Sequence, residues 1–328
     1  SRGEVRSFLQ SAANYWLSVY HVDGIRMDAI SRIIYWQGEP ARGVNNNAVD
    51  FIREMNRGLK TLHPTAMLSA EDSTSFEGVT KPADQGGLGF DYKWDMGWMN
   101  DTLDYFRTAP EYRSRDYHKL TFSMMYYYND VFLLPLSHDE VVHGKATIAQ
   151  KMHGEYEEKF PQARAFYMYM YAHPGKKLNF MGNEIGQLRE WDEKREQDWD
   201  ILKYPIHDAF HHFMQELNHL YMTTPALSAK DYENAGFHWL DCHQEERCIY
   251  AFERTDGKER IAAVFNFSDE DQEGYELPIT DAKELEVILA SDDVTFGGSK
   301  KYTKKKVKVT DGKAVLDLSA YSAVYFGI

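Results

Sequence analysis

The sequence predicts an α/β part with a parallel sheet, followed by an antiparallel all-β domain. Up to about residue 229, segments with helical spacing of apolar residues alternate with short apolar runs, which is typical of βαβ units. From residue 230 onward, strand patterns separated by Asp-Gly and similar turns follow one another. We therefore expect two domains, residues 1–229 and residues 230–328, and we expect the second to be a β-sandwich.

Helices are predicted where apolar residues recur every three to four positions. This spacing occurs over residues 4–20, 45–64, 162–173 and 207–223. Asn46 or Asn47 can cap the start of the second of these helices, and Pro64 ends it.

Short apolar runs at residues 22–28, 65–72, 131–139 and 176–184 are predicted strands. With one further candidate, the α/β part offers about five strands, whereas a closed (β/α)₈ barrel has eight. The count leaves two forms open, which are a smaller open sheet and the later part of a barrel.

Composition narrows the possible partners. The formal net charge of −14 argues against a nucleic acid or an anionic membrane, because phosphate binding needs a basic surface. One segment, the lysine-rich residues 300–309, is locally basic despite the negative net charge, and we interpret it as a solvated basic strand pair. No apolar run is long enough for a membrane helix. Two cysteines, Cys242 and Cys248, are too few for a disulfide framework, so we expect a cytoplasmic setting.

Charged side chains stand at the ends of three predicted strands. Asp28 ends the first strand, Glu71 ends the second, and His138 with Asp139 ends the third. Side chains alternate across a strand, so Arg26 shares a face with Asp28. Each group alone is common in structural ion pairs or caps, but three such ends together predict a site at one rim of the sheet.

Paired carboxylates suit the cleavage of glycosidic bonds. A retaining mechanism needs one ionised carboxylate as nucleophile and one protonated carboxyl as acid. Arg26 is expected to keep Asp28 ionised, whereas Glu71 has no basic residue nearby in sequence and can hold its proton if partly desolvated. His138 and Asp139 can bond sugar hydroxyls and stabilise positive charge in the transition state.

Three of these segments resemble conserved motifs of a known family. The segments DGIRMDA, SAEDS and LSHDE resemble the second, third and fourth conserved motifs of the α-amylase superfamily. Longer segments resemble the bacterial-type 1,4-α-glucan (glycogen) branching enzymes, namely AEDSTSFEGVTKP, GGLGFDYKWDMGWMNDTLDYF, LPLSHDEVVHGK and FMGNEIGQLREWD.

The resemblance implies roles for the residues at the strand ends. Asp28 would be the nucleophile, Glu71 the general acid and base, and Asp139 the stabiliser of the transition state, while Arg26 and His138 would position the substrate or the nucleophile. It also implies that the four predicted strands are strands four, five, seven and eight of a (β/α)₈ barrel. The glycine-rich segment near Phe90 would supply strand six. The first three strands would then lie upstream, and we expect that missing half to pack against this chain.

The resemblance further implies that the protein cuts α-1,4-glucan chains, such as glycogen or amylose, and transfers the cut segment to a 6-hydroxyl. Trp94, Trp98 and Trp191 are expected in loops after strand ends, where they either stack on glucose rings or pack the loops. We expect no metal and no cofactor, because no residue spacing matches a zinc site or a calcium loop.

Two other functions stay open. One is another α-glucan hydrolase or transferase of the same superfamily, such as a trehalose-releasing enzyme. The other is a glucan-binding protein without activity. The long branching-enzyme segments disfavour the first alternative, and the presence of Asp28, Glu71 and Asp139 disfavours the second.

Overall fold

The structure, a computed structural model, describes residues 2–300 and 306–328. Residue contacts divide the chain into two units. The first comprises Ser1–Gly97 and Met124–Pro135, and the second comprises Trp98–Ser123 and Leu136–Ile328. The predicted boundary between residues 229 and 230 falls inside the second unit and stays a prediction. Residues 301–305 of the lysine-rich segment lie outside the described residues.

Five short strands form the sheet of the α/β part, in the order β1-β2-β3-β4-β5. They are β1 (Gly24–Met27), β2 (Met67–Ala70), β3 (Tyr92–Trp94), β4 (Phe132–Leu136) and β5 (Lys176–Asn179). The pairs β1–β2, β2–β3 and β3–β4 are parallel. A doubly wound sheet would reverse its strand order, whereas this order follows the chain throughout, as in consecutive strands of a (β/α)₈ barrel. The predicted fold class is confirmed.

Gly24 permits the close pairing of the first two strands. It lies opposite Met67, and a Cβ atom at this position would stand 2.4 Å from the carbonyl oxygen of Met67. Any other residue would push β1 away from β2. The glycine therefore helps to fix the register that sets the two strand ends side by side.

The helices of the first unit are α1 (Gly3–Val19), α2 (Ser31–Ile34) and α3 (Asn46–Leu62). The predicted apolar face of α3 is buried, including Phe51, Ile52 and Leu59. The predicted cap at Asn46 or Asn47 is wrong, because the helix already begins at Asn46 and the capping position falls on Asn45, whose side chain accepts no capping hydrogen bond.

The predicted apolar face of α1 is exposed. The large side chains of this face are 44% to 69% exposed, namely Val5, Phe8, Leu9, Trp16 and Val19. Leu17 is the buried residue of this helix, and with Ala13 it joins the core that contains α3. No strand pairs with the outer edge of β1 among the described residues. An apolar helix face and a strand edge thus remain uncovered in this unit.

Among the described residues, five further α-helices belong mainly to the second unit, and the first of them begins before the division between the units. They are α4 (Met96–Arg107), α5 (Lys119–Phe122), α6 (Ile148–Lys151), α7 (Tyr156–Ala172) and α8 (Pro205–Thr223), and both α5 and α6 are single turns of four residues. Helix α7 begins six residues earlier than predicted, because Glu155 and Glu158 form a capping box upstream of Pro161. No helix in the described part of the chain has both the length and the hydropathy to cross a membrane.

The C-terminal strands are antiparallel, as predicted. In chain order they are β6 (Phe237–Gln244), β7 (Ile249–Thr255), β8 (Arg260–Asn266), β9 (Gln272–Pro278), β10 (Glu284–Ala290), β11 (Lys306–Thr310), β12 (Lys313–Leu318) and β13 (Ser322–Gly327). Strand β11 changes partner along its length, because its first residues pair with β10 and Val309 and Thr310 pair with β12. The strands therefore form two layers, one of β6, β7, β8, β13 and β10 and the other of β9 and β12, with β11 pairing with both. A single hydrophobic core contains buried residues from both layers.

Candidate active site

Backbone hydrogen bonds join the end of β1 to the end of β2. The N–H of Glu71 donates to the carbonyl of Met27 at 3.0 Å, and the N–H of Ile30 donates to the carbonyl of Glu71 at 3.0 Å. Between them, Ala29 adopts a positive φ of 40°, an uncommon conformation for a residue with a side chain. This turn holds Asp28 beside Glu71.

Arg26 connects the two carboxylates. Its Nη2 donates to Asp28 Oδ1 at 2.7 Å and also forms an ion pair with Glu71 Oε2. Sequence reasoning found no basic residue near Glu71, because the partner lies 45 positions away in the chain. The parallel pairing that sets Arg26 opposite Ser69 brings them together.

The three side chains differ in exposure. The Asp28 side chain is 75% exposed, whereas that of Glu71 is 19% exposed and that of Arg26 is 24% exposed. Burial raises the pKa of Glu71 above its ordinary value, Arg26 lowers it, and the hydrogen bond and charge of Asp28 raise it further. The net direction is upward, so Glu71 favours the protonated form that a general acid requires.

Trp94 packs against Arg26. The guanidinium carbon of Arg26 lies 4.4 Å from the centroid of the Trp94 ring. The predicted loop position of Trp94 is wrong, because the residue ends strand β3 and is 7% exposed. Its ring holds the guanidinium by a cation–π contact instead of facing solvent, where a sugar could stack on it.

A buried ion group supports the segment that follows Glu71. Lys93 Nζ lies 3.0 Å from Asp72 Oδ2 and 3.8 Å from Asp130 Oδ2, and all three side chains are at most 7% exposed. Lys93 Nζ also donates to the carbonyl oxygen of Thr74, and the Thr74 side chain donates to Asp72. Buried charges of this kind are stable only when paired and hydrogen-bonded. Sequence reasoning missed this group.

The loop after β4 lies in the second unit and begins with a capping box. Ser137 N donates to Glu140 Oε2 at 2.6 Å, and Asp139 N donates to Ser137 Oγ at 3.2 Å. Lys145 Nζ donates to the Asp139 carbonyl oxygen at 2.8 Å. These contacts fix the backbone that carries His138 and Asp139, and they give Glu140 and Lys145 structural roles.

His138 and Asp139 lie side by side in this loop. His138 Nε2 is 3.4 Å from Asp139 Oδ1, and the two side chains are 37% and 44% exposed. The His138 ring also packs against Trp191, with centroids 6.0 Å apart, and Trp191 contacts Phe180 edge-on at 5.3 Å. Trp191 is in a loop, as predicted, and it supports the imidazole from one side.

Glu190 connects the loop after β4 to the loop after β5 by hydrogen bonds. Its two carboxylate oxygens accept from Gly144 N at 2.9 Å and from Ala146 N at 2.7 Å. These two hydrogen bonds lower the pKa of Glu190. The bonded segment includes positive φ angles at His143, Gly144 and Ala146. We call this pair of hydrogen bonds the Glu190 contact.

Trp98 does not belong with these groups. The predicted loop position is wrong, because the residue lies inside helix α4 and is 1% exposed. Its ring stacks on Tyr169 with centroids 6.5 Å apart and lies 6.0 Å from His173. A buried indole offers no face to a sugar ring, so we assign Trp98 to the core.

The chain belongs to the alpha-amylase family. Residues 1–269 match the alpha amylase catalytic domain, and residues 239–328 match the alpha amylase C-terminal all-beta domain. A crystal structure of an Anoxybacillus alpha-amylase has a similar fold, with a TM-score of 0.61 at 17% identity. That alignment covers 99% of this chain and 62% of the other.

Within this family, the chain is similar to branching enzymes. It is 43% identical over 307 residues to the 1,4-alpha-glucan branching enzyme GlgB of Bacillus cytotoxicus and to that of Bacillus cereus strain B4264. It is 42% identical to the GlgB of Bacillus anthracis strain CDC 684. Each alignment covers 93% of this chain and 48% of the relative. The chain therefore spans about half the length of the curated relatives it matches.

Proposed function

We propose that this chain forms the catalytic part of a 1,4-α-glucan branching enzyme that acts on glycogen or amylose. The observation that carries the proposal is the shared contact of Arg26 with Asp28 and Glu71, one carboxylate exposed and the other largely buried. Paired carboxylates in unlike surroundings are what a retaining glycosidic mechanism uses. The similarity to branching enzymes over 93% of the chain supports transfer as the outcome.

The first chemical step forms a covalent intermediate. An Asp28 oxygen attacks the anomeric carbon of an α-1,4-linked glucose while Glu71 donates its proton to the departing glycosidic oxygen. The C–O bond of the linkage breaks, and an ester bond to Asp28 forms. The shortened glucan leaves with a free 4-hydroxyl.

The second step transfers the held segment. Glu71, now ionised, takes the proton of a 6-hydroxyl on an acceptor glucan, and that oxygen attacks the same anomeric carbon. The ester bond breaks, Asp28 regains its charge, and an α-1,6 linkage forms with net retention. Arg26 orients both carboxylates, and Asp139 and His138 bind hydroxyls and stabilise positive charge in the transition state.

An upstream segment supplies the remaining strands of the barrel. The exposed apolar face of α1 and the unpaired edge of β1 in the described chain support this part of the proposal. Its last strand, which would be strand three of the barrel, pairs with β1, and its helices cover Phe8 and Trp16. We place the enzyme in the cytoplasm, since both cysteines are free thiols.

Incubation with amylose tests the function. The assay is run on this chain and on the chain joined to its upstream region, and it scores iodine colour, new reducing ends and new α-1,6 linkages by NMR. Branching predicts fading colour and new α-1,6 linkages with few reducing ends. Abundant reducing ends without α-1,6 linkages would identify a hydrolase, and binding without turnover would identify a glucan-binding protein.

Two variants make this test specific. Asp28→Ala is expected to abolish branching, whereas Asp23→Ala, which removes an exposed carboxylate five positions earlier, is expected to leave it unchanged. Equal activity in the two variants would contradict the assignment of Asp28.

A further inference from the structure

A buried lysine bonds both ends of a segment of the loop after β4. Lys151 is 5% exposed, and its Nζ donates to the carbonyl oxygens of Glu140 and Ala146. Glu140 directly follows Asp139 in the chain, and Ala146 lies six positions further on. One ammonium group therefore joins the two ends of the segment 140–146.

Helix α6 fixes the position of Lys151. The Thr147 side chain accepts from Gln150 N at 3.4 Å, and the Gln150 side chain accepts from Thr147 N at 3.0 Å, which forms a capping box at the start of the helix. Lys151 ends this single turn, and its own N–H donates to the carbonyl of Thr147 at 3.0 Å. The backbone of Lys151 is thereby held in place while its side chain reaches back to the loop.

The burial of Lys151 is costly. Burial lowers the pKa of the Lys151 ammonium to about 8. The surrounding charges act in both directions, because two cations lower this pKa and two carboxylates raise it, namely Arg107, Lys145, Glu140 and Glu190. At pH 7 the side chain is still mainly an ammonium with three N–H donors. A methionine would fill a similar volume without a buried charge, so packing alone does not explain this lysine.

Ala146 has a strained backbone that the lysine helps to hold. Its φ is 66°, in the left-handed region that a residue with a side chain seldom adopts. Its N–H donates to Glu190 in the Glu190 contact, and its carbonyl oxygen accepts from Lys151. Two charged side chains therefore bond the two polar groups of one strained residue. Strain of this kind persists only where surrounding contacts enforce it, and it is common at functional sites.

We propose that Lys151 is a positioning residue, which holds the loop after β4 in the conformation that His138 and Asp139 need to act on the glucan. It acts through the backbone, because its ammonium bonds the carbonyl oxygen of Glu140, the residue next to Asp139. Hydrogen bonds from a charged donor are short and strong, so they hold a loop more firmly than neutral ones. A displacement of about 1 Å in a group that stabilises the transition state can reduce the rate about a hundredfold. The inference rests on the proposed function, which gives His138 and Asp139 their roles.

Kinetics of the chain joined to its upstream region test the proposal. In Lys151→Met both carbonyls lose their charged donor, and we expect kcat on amylose to fall roughly ten- to a hundredfold with little change in KM. The matched control is Lys177→Met. Lys177 Nζ also donates to two carbonyl oxygens, those of His173 and Gly175, each at 2.5 Å, and burial lowers its pKa to about 7. Because Lys177 lies near the start of β5 and not in a loop that follows a strand, kcat should stay unchanged in this control.

A second variant and a second measurement separate positioning from a general role in folding. Lys151→Arg keeps a charged donor, and we expect its kcat to exceed that of Lys151→Met at least about threefold. Hydrogen exchange at Gly144 and Ala146 should accelerate in Lys151→Met, while exchange in helix α8 should match that of the parent. Loss of protection throughout Lys151→Met, with no recovery of kcat in Lys151→Arg, would mean that the lysine serves folding in general and would overturn the proposal.

The outcomes also separate this inference from the proposed function. Unchanged kcat in Lys151→Met, or unchanged exchange at Gly144 and Ala146, would overturn the role of Lys151 even if the parent forms α-1,6 linkages. An equal loss of kcat in Lys151→Met and Lys177→Met would overturn it as well. If the parent hydrolyses amylose without branching it, the branching function is rejected, and a fall in the kcat of hydrolysis in Lys151→Met alone would still support the positioning role.

Discussion

The guanidinium carbon of Arg26 lies 4.4 Å from the ring centroid of Trp94. The same guanidinium contacts both Asp28 and Glu71, so one buried indole fixes the group that orients both carboxylates. We therefore interpret Trp94 as a positioning residue, whereas the sequence left open whether it stacks on glucose rings or packs a loop.

Replacement of the Trp94 ring should lower activity without a comparable loss of stability. We expect Trp94→Leu to reduce kcat/KM for amylose roughly two- to thirtyfold, which corresponds to a cation–π contact of about 0.5–2 kcal/mol. Trp239→Leu is the control, because it removes an indole that packs on Phe237 and Phe252 in the β-domain. A larger loss of kcat/KM in the control would show that Trp94 acts only through folding.

Glu71 should make the protein less stable at neutral pH than at acid pH. A carboxyl whose pKa is raised on folding contributes stability that is fully present below its ordinary pKa and lost as pH rises through the folded value. Glu71→Gln removes this dependence. We therefore expect the Tm of the variant, relative to the parent, to be higher at about pH 8 than at about pH 4.

The Glu71→Gln variant should also be inactive, because an amide cannot donate a proton to the departing glycosidic oxygen. Glu77→Gln, an exposed change six positions later, should alter neither Tm nor activity. A Tm difference between Glu71→Gln and parent that is constant across pH would show that Glu71 does not titrate with a raised pKa.

The buried ion group around Lys93 should be a major determinant of stability. Lys93→Met leaves Asp72 and Asp130 without their cation, and we expect the free energy of unfolding to fall by about 3–5 kcal/mol. Lys313→Met, which breaks an exposed pair with Glu276, should cost no more than about 1 kcal/mol. Urea unfolding measures both values. An equal loss of unfolding free energy in Lys93→Met and Lys313→Met would mean that the Lys93 group contributes no more than an exposed ion pair.

The Glu190 contact should order the loop that carries His138 and Asp139. In Glu190→Gln one backbone N–H loses its carboxylate acceptor, so hydrogen exchange at Gly144 and Ala146 should accelerate. We expect kcat to fall roughly ten- to a hundredfold with little change in KM, since misplaced groups mainly affect the transition state. Glu193→Gln, an exposed change in the same loop, is the control. Unchanged exchange at both amides would contradict this role.

Helices and strands whose apolar residues recur at regular spacing could be predicted from the sequence. Helical spacing identified α3 and its buried face, and strand alternation set Asp28 and Glu71 at strand ends. The same spacing identified α1 but not the exposure of its apolar face, because periodicity defines a face and not what covers it.

Contacts between distant segments were not predictable in this way. The partners of Lys93 lie 21 and 37 positions away, and no local pattern connects them. Trp98 was predicted to lie in a loop, yet it and the preceding Gly97 lie within helix α4. A Cβ atom at Gly97 would stand 2.5 Å from the hydroxyl of Tyr126. The glycine serves close packing there, and a single sequence does not distinguish that from a loop.

Trapping the covalent intermediate would show directly whether Asp28 is the nucleophile. A fluorinated α-glucosyl fluoride slows the second step more than the first, so the ester should accumulate and be located by peptide mass spectrometry. We expect a glycosyl adduct on the peptide that contains Asp28, and no adduct in Asp28→Ala. An adduct on another carboxylate, or full branching activity in Asp28→Ala, would contradict the assignment of Asp28 as the nucleophile.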